Sequence, residues 1–170
     1  MSRRGRATAV AAALAAVLAL AAPAQAAQTQ TQRFFAERLL ADAKTAEPIK
    51  DLLRGGRGFV DRSVVFRDLT RDGKEDAIVR VQSGGAAGAV AVYVFSTDTG
   101  EEGAELTMVF RSERLLRAWT SVTGGVLSYR SARPQPGDEL CCPSRLAETR
   151  LRWDARRHLL RVASRREIQP

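Results

Sequence analysis

The segment Gly137-Asp138-Glu139-Leu140-Cys141-Cys142-Pro143-Ser144 holds both cysteines of the chain, side by side. Adjacent Cα atoms stand about 3.8 Å apart, below the usual disulfide window of about 4.4–6.8 Å. A bond between them closes no loop and strains the intervening peptide. Three states are open: a vicinal disulfide, two thiols, or bonds to another chain. A strained bond is readily reduced, which would suit a redox switch. The alternative is a structural turn set by Asp138 and Pro143. A second cluster is Asp68-Leu-Thr-Arg-Asp72-Gly-Lys-Glu-Asp76. Asp68, Asp72, Asp76 and Gly73 approach the spacing of a calcium loop, in which several oxygens converge around a sharp glycine bend. Thr70 and Val79 stand where such loops place further oxygen ligands. A tight hairpin, with Asp and Gly serving the turn, is the favoured reading, and calcium the weaker one.

Other chemistry is thinly supported. Gly84, Gly85 and Gly88 precede a valine-rich stretch, whereas a phosphate cradle needs a helix to open there. The single histidine, His158, sits among arginines with no spaced partner that would make a Cys–His nucleophile pair. Two cysteines and one histidine make an incomplete zinc set. No residues are singled out as catalytic and no cofactor is expected.

Charge is distributed unevenly. Basic residues number 27 and acidic ones 19, with 24 arginines and 3 lysines. Residues 1–26 combine a basic start, an alanine-rich apolar run and a small-residue Ala-Gln-Ala end, the layout of a secretory signal peptide. Arg3-Arg4 resembles a twin-arginine signal without its usual following residues. Without residues 1–26, the net charge falls from +8 to +5. Residues 27–129 balance, with 14 basic and 14 acidic side chains, so residues 130–170 carry the whole excess. Arg150, Arg152, Arg156 and Arg157 are the candidate anion-binding group. The partners expected are an anionic cell-wall polymer, a lipid headgroup or another envelope protein, without nucleic acid and without a stable transmembrane anchor.

These residues must be held by local structure. Residues 27–32 read as a polar linker, and residues 33–170 as a single domain. A helix is expected from Arg33, with Phe35, Leu39 and Ala43 on its buried face and Pro48 ending it. From Phe59 the apolar period becomes two. Ala77, Val79 and Val81 oppose Ile78 and Arg80. In Ala89–Ser96 both faces are apolar, which predicts the central strand. Leu151 and Trp153 read as inward, Arg150 and Arg152 as outward. The fold class is α+β: an N-terminal helix packed on a curved antiparallel sheet of about six to eight strands.

The Asp68–Val79 stretch, Val90–Phe95, Gly137–Ser144 and the strand ending at Trp153 together resemble the LppP/LprE-type secreted lipoproteins of actinobacteria. The resemblance covers roughly residues 60–155, and its most specific part is Cys141-Cys142-Pro143-Ser144. It implies an actinobacterial, envelope or extracellular protein, and carries no established activity. This chain departs from that pattern in having no lipid-acceptor cysteine near residue 26. Secretion, with cell-wall association, is the expectation. The leading function is an exported, non-catalytic binding module of the cell envelope. The alternative is a thiol–disulfide redox-responsive accessory protein using Cys141 and Cys142.

Overall fold

The structure is a computed structural model that describes residues 28–97, 105–139 and 142–170. Two helices come first, α1 (Gln30–Ala41) and α2 (Glu47–Arg54). Nine strands follow among the described residues: β1 (Phe59–Val60), β2 (Val65–Arg67), β3 (Asp76–Gln82), β4 (Ala89–Ser96), β5 (Thr107–Ser112), β6 (Trp119–Thr123), β7 (Val126–Ala132), β8 (Leu146–Asp154) and β9 (Leu159–Ile168). The α+β class with antiparallel sheet is as expected. The strands divide into two sheets, a five-stranded one and a four-stranded one.

Helix α1 begins earlier than periodicity indicates. Thr29 and Gln32 form a reciprocal capping box, which satisfies two backbone donors at the helix start. Residues 30–32 therefore belong to the helix, and Gln32 is buried with its amide donating to the Val60 carbonyl at 2.6 Å. The helix stops at Ala41, so Ala43 lies outside it and is exposed. Pro48 sits in the first turn of α2 instead of ending α1, because a proline there removes a donor that has no helical partner anyway. Helix α2 has no side-chain cap of its own. The Ala46 N–H is taken by the Glu113 carboxylate at 3.0 Å, which also accepts the Tyr93 hydroxyl at 2.7 Å.

In the first sheet the order is β1-β3-β4-β5, and β2 also pairs with β3. Strands β1 and β2 lie along the same strand at different heights, Val60 opposite Val81 and Val65 opposite Ile78. They act as one edge strand broken around Asp61. The second sheet is a meander, β6-β7-β8-β9. Two outer strands carry bulges. Val94 and Phe95 face Phe110 and Met108, leaving Val109 as an extra residue in β5. Arg150 and Leu151 face Ser164 and Val162, leaving Ala163 extra in β9.

The period-two alternation explains the layers. Ala77, Val79, Val81, Ala91, Tyr93 and Phe95 meet Phe35, Leu39 and Ile49 of the helices. Ile78, Val92, Val94 and Val109 meet Leu127, Tyr129, Leu151 and Leu160 of the second sheet. The molecule is thus helices, first sheet, second sheet. Strand β4 contributes to both interfaces and is the central strand the sequence predicts. Each fully buried Val, Leu, Ile or Phe side chain among them adds about 1.5–3 kcal/mol. Ser112 Oγ and Tyr129 Oη, 3.0 Å apart, tie the sheets together with a hydrogen bond. With its inner face spent on this core, the second sheet presents its outer face to solvent.

Candidate functional site: an arginine face on the second sheet

Directly opposed residues of antiparallel strands point to the same side. The registers therefore place Trp119, Arg130, Glu148 and Arg166 in one row across the outer face. The next row is Ser121, Ser128, Arg150 and Ser164. Arg152 and Arg161 face each other beyond it. Leu151 points inward and Arg150 and Arg152 outward, as their alternation predicts.

The row is organised around one carboxylate. The Glu148 side chain is only 4% exposed, although it lies on the open face, because arginines cover it. Arg130 Nε donates to Oε1 at 2.9 Å. Arg166 donates to Oε2 through Nε at 2.7 Å, and its Nη2 lies 2.6 Å from the same oxygen. Arg150 Nε lies 3.6 Å from Oε2. The contacts of Arg166, then those of Arg130, hold the Glu148 carboxyl below the usual glutamate range. Three guanidiniums around one carboxylate leave a cluster charge of +2. Their side chains are 40–57% exposed, so they face both Glu148 and water. Arg161 adds a further cation, 3.4 Å from Asp154. Guanidinium groups held in this way present planar pairs of donors suited to carboxylate and phosphate oxygens.

The four expected arginines are not one cluster. Arg150 and Arg152 belong to this face, and Arg156 lies at its end in the turn between β8 and β9. Arg157 instead lines a groove with Lys44, Arg111 and Leu159, beside strand β5. The face gains Arg130, Arg161, Arg166 and Glu148, which sequence reasoning did not select. Alternation alone puts Glu148 on the same side as Arg150 and Arg152. Arg130 and Arg166 need the strand pairing.

The aspartate loop is occupied by backbone donors. Asp68 accepts N–H bonds from Arg71 at 2.6 Å and Gly73 at 3.1 Å. Asp72 accepts from Lys74 N at 2.8 Å and Thr70 Oγ1 at 3.1 Å. Asp76 is 1% exposed and receives Leu69 N at 2.6 Å and Thr70 N at 3.1 Å on the same oxygen. Burial raises its pKa, against the hydrogen bonds from Ser96, Leu69 and Thr70. These are the bonds of a turn. Among the described residues no three or more His, Cys, Asp or Glu side chains gather as a metal-holding group. The glycines of residues 83–88 form the hairpin loop between β3 and β4, closed by Ser83 N donating to Gly88 O at 2.8 Å.

The cysteine turn sits at the end of the arginine face. Cys141 lies outside the described residues. Cys142 is disulfide-bonded. Asp138 Oδ2 accepts Gln135 N at 2.7 Å, Ser144 N at 2.9 Å and Ser144 Oγ at 3.0 Å. The Gln135 and Ser144 N–H groups hold its carboxyl below the usual aspartate range. One carboxylate thus joins the two limbs of the loop that carries the cysteines. Arg133 N to Arg145 O, 2.9 Å, closes its base. Pro143 lines, with Trp119, Ala132 and Leu146, a cavity of about 500 Å³. His158 stacks edge-on against Trp153, ring centres 6.2 Å apart, at the far end of β8.

The chain matches no protein-family model, and no curated protein or solved structure is significantly similar to it. No helix among the described residues is long and apolar enough to cross a membrane.

Proposed function

We propose that this protein is an exported, non-catalytic binding module of the cell envelope that takes anionic ligands on the outer face of its second sheet. The observation that carries the reading is Glu148, buried on the outer face of the second sheet beneath Arg130, Arg150 and Arg166. Arginines kept only for solubility need no shared counter-ion. A shared carboxylate fixes the direction of flexible side chains and leaves donors over, which lowers the ordering cost of binding an anion. Export is supported by the layout of residues 1–26, and an envelope setting by the resemblance to LppP/LprE-type proteins.

The test is binding to cell-wall and lipid preparations as salt is raised. Binding should weaken with ionic strength, since exposed charges are screened. It should fall at least about tenfold in R130Q/R166Q, the loss of two charged contacts at about 1 kcal/mol or more each. Binding that ignores both salt and these substitutions would overturn the reading.

A second reading, a thiol–disulfide accessory protein, would use the disulfide at Cys142. The protein should then take up no alkylating agent until reduced, and glutathione at extracellular ratios should open the bond. A bond that only strong reductants open leaves the turn purely structural.

A further inference from the structure

The arginine row does not end in water. Two residues along β7 from Arg130 is Ala132, and two residues along β8 from Glu148 is Leu146. These two are paired, and both are buried, at 4% and 5% exposure. With Trp119, Pro143, Pro170, the disulfide-bonded Cys142 and the charged Arg117 they line, among the described residues, the cavity of about 500 Å³. Two strand residues span about 7 Å. An apolar hollow and a guanidinium row therefore lie side by side on one face, with Trp119 belonging to both. Trp119 is 37% exposed, and its ring is an apolar body with one polar edge, suited to a boundary between a wet and a dry surface.

We infer that the cavity and the arginine row form a single site for an anionic lipid, its head on Arg130 and Arg166 and the start of its chain against Trp119, Pro143 and Leu146. The inference rests on the anion-binding reading above and adds the chemical class of the ligand. Charge complementarity selects the head, and the mainly apolar wall beside it selects a chain. A polyanionic polymer would use the arginines and leave the hollow empty.

The test is calorimetric titration with a series of alkyl phosphates, from ethyl to decyl, each below its micelle concentration. Affinity should rise with chain length, by up to about fourfold for each methylene that becomes buried, until the cavity is filled. R166Q should weaken every member of the series alike. W119A should flatten the rise by weakening decyl phosphate far more than ethyl phosphate, and P143S, which makes the wall polar without adding a charge, should act in the same direction. A thermal melt of each variant selects those that remain folded. If ethyl phosphate binds and chain length adds nothing, the lipid inference falls and the anion-binding face stands. If a soluble polyphosphate binds better than any alkyl phosphate, the ligand is a polymer and the inference falls. If a neutral alkyl glucoside binds as well as the phosphate of equal chain length, the arginines are not the head site and both readings fall.

Discussion

Asp76 offers the sharpest test of how the aspartate loop works. One of its oxygens receives two backbone N–H groups, from Leu69 and Thr70, in a setting almost closed to water. Asp76→Ala leaves both donors without an acceptor. Each such buried donor costs about 1–3 kcal/mol, so the pair should cost about 4 kcal/mol. For a chain of this size that lowers Tm by roughly 8–16 °C. Asp76→Asn keeps an oxygen for both donors, and Ser96 can turn its hydroxyl to meet the new amide. The loss there should stay under about 1 kcal/mol. The two variants also differ with pH. Burial raises the Asp76 pKa above its unfolded value of about 3.9, so the folded state prefers the protonated form. Its contribution is whole below pH ~3.9 and is lost as pH rises through the folded pKa. Asp76→Asn has no such loss and should gain on the wild type between pH ~4 and ~7. Thermal melts at both pH values, with and without calcium chloride, read all of this. Calcium should leave Tm unchanged, because the carboxylates already accept N–H and O–H donors. Asp76→Asn as damaging as Asp76→Ala, or a calcium-dependent rise in Tm that Asp76→Asn abolishes, would refute the reasoning.

Two other expectations concern different parts of the fold. At Gly84, φ is +70° and an added Cβ would run into the Arg57 carbonyl oxygen, so Gly84→Ala should cost about 2 kcal/mol or more in a urea titration. Gly73→Ala, with φ +83° and open space around it, should show only the backbone strain of about 1–2 kcal/mol. Glu148→Gln weakens the hold on Arg130 and Arg166 and should cost about 1 kcal/mol at neutral pH, modest because the guanidiniums are half in water. Its folded pKa lies below the unfolded value of about 4.3, so the stabilisation is present above that value and lost as pH falls through the folded one. The variant's stability should accordingly fall less steeply in acid than the wild type's. Equal slopes would show that the arginines do not grip the carboxylate.

Sequence periodicity read some elements well and others poorly, for physical reasons. Strand β4 declared itself because both of its faces are apolar, and both are now seen to meet a core. Strand β8 did so because Leu151 and Trp153 alternate with Arg150 and Arg152. Strand β6 is hidden from periodicity: Trp119, Ser121 and Thr123 face solvent, and its inner residues Thr120 and Val122 are only half-buried. The start of α1 was placed late because Gln32 is polar yet buried, through a bond to Val60 that no local pattern reveals. Alternation assigns sides but not neighbours, so the division into two sheets was not legible. The candidate site suffered from the same limit. Arg150 and Arg152 were read onto one face, while Arg130 and Arg166 lie 18 residues from Glu148 on either side and join it only through pairing.

The bulges at Val109 and Ala163 have a consequence for how copies of this protein behave near one another. A straight free strand offers a row of amides and carbonyls that another chain can extend. Here β5 and β9 are interrupted by an extra residue, and the β1–β2 border is broken at Asp61. Strand β6 has only five residues. Each sheet border is therefore interrupted or short, which makes it a poor template for a growing ribbon of copies.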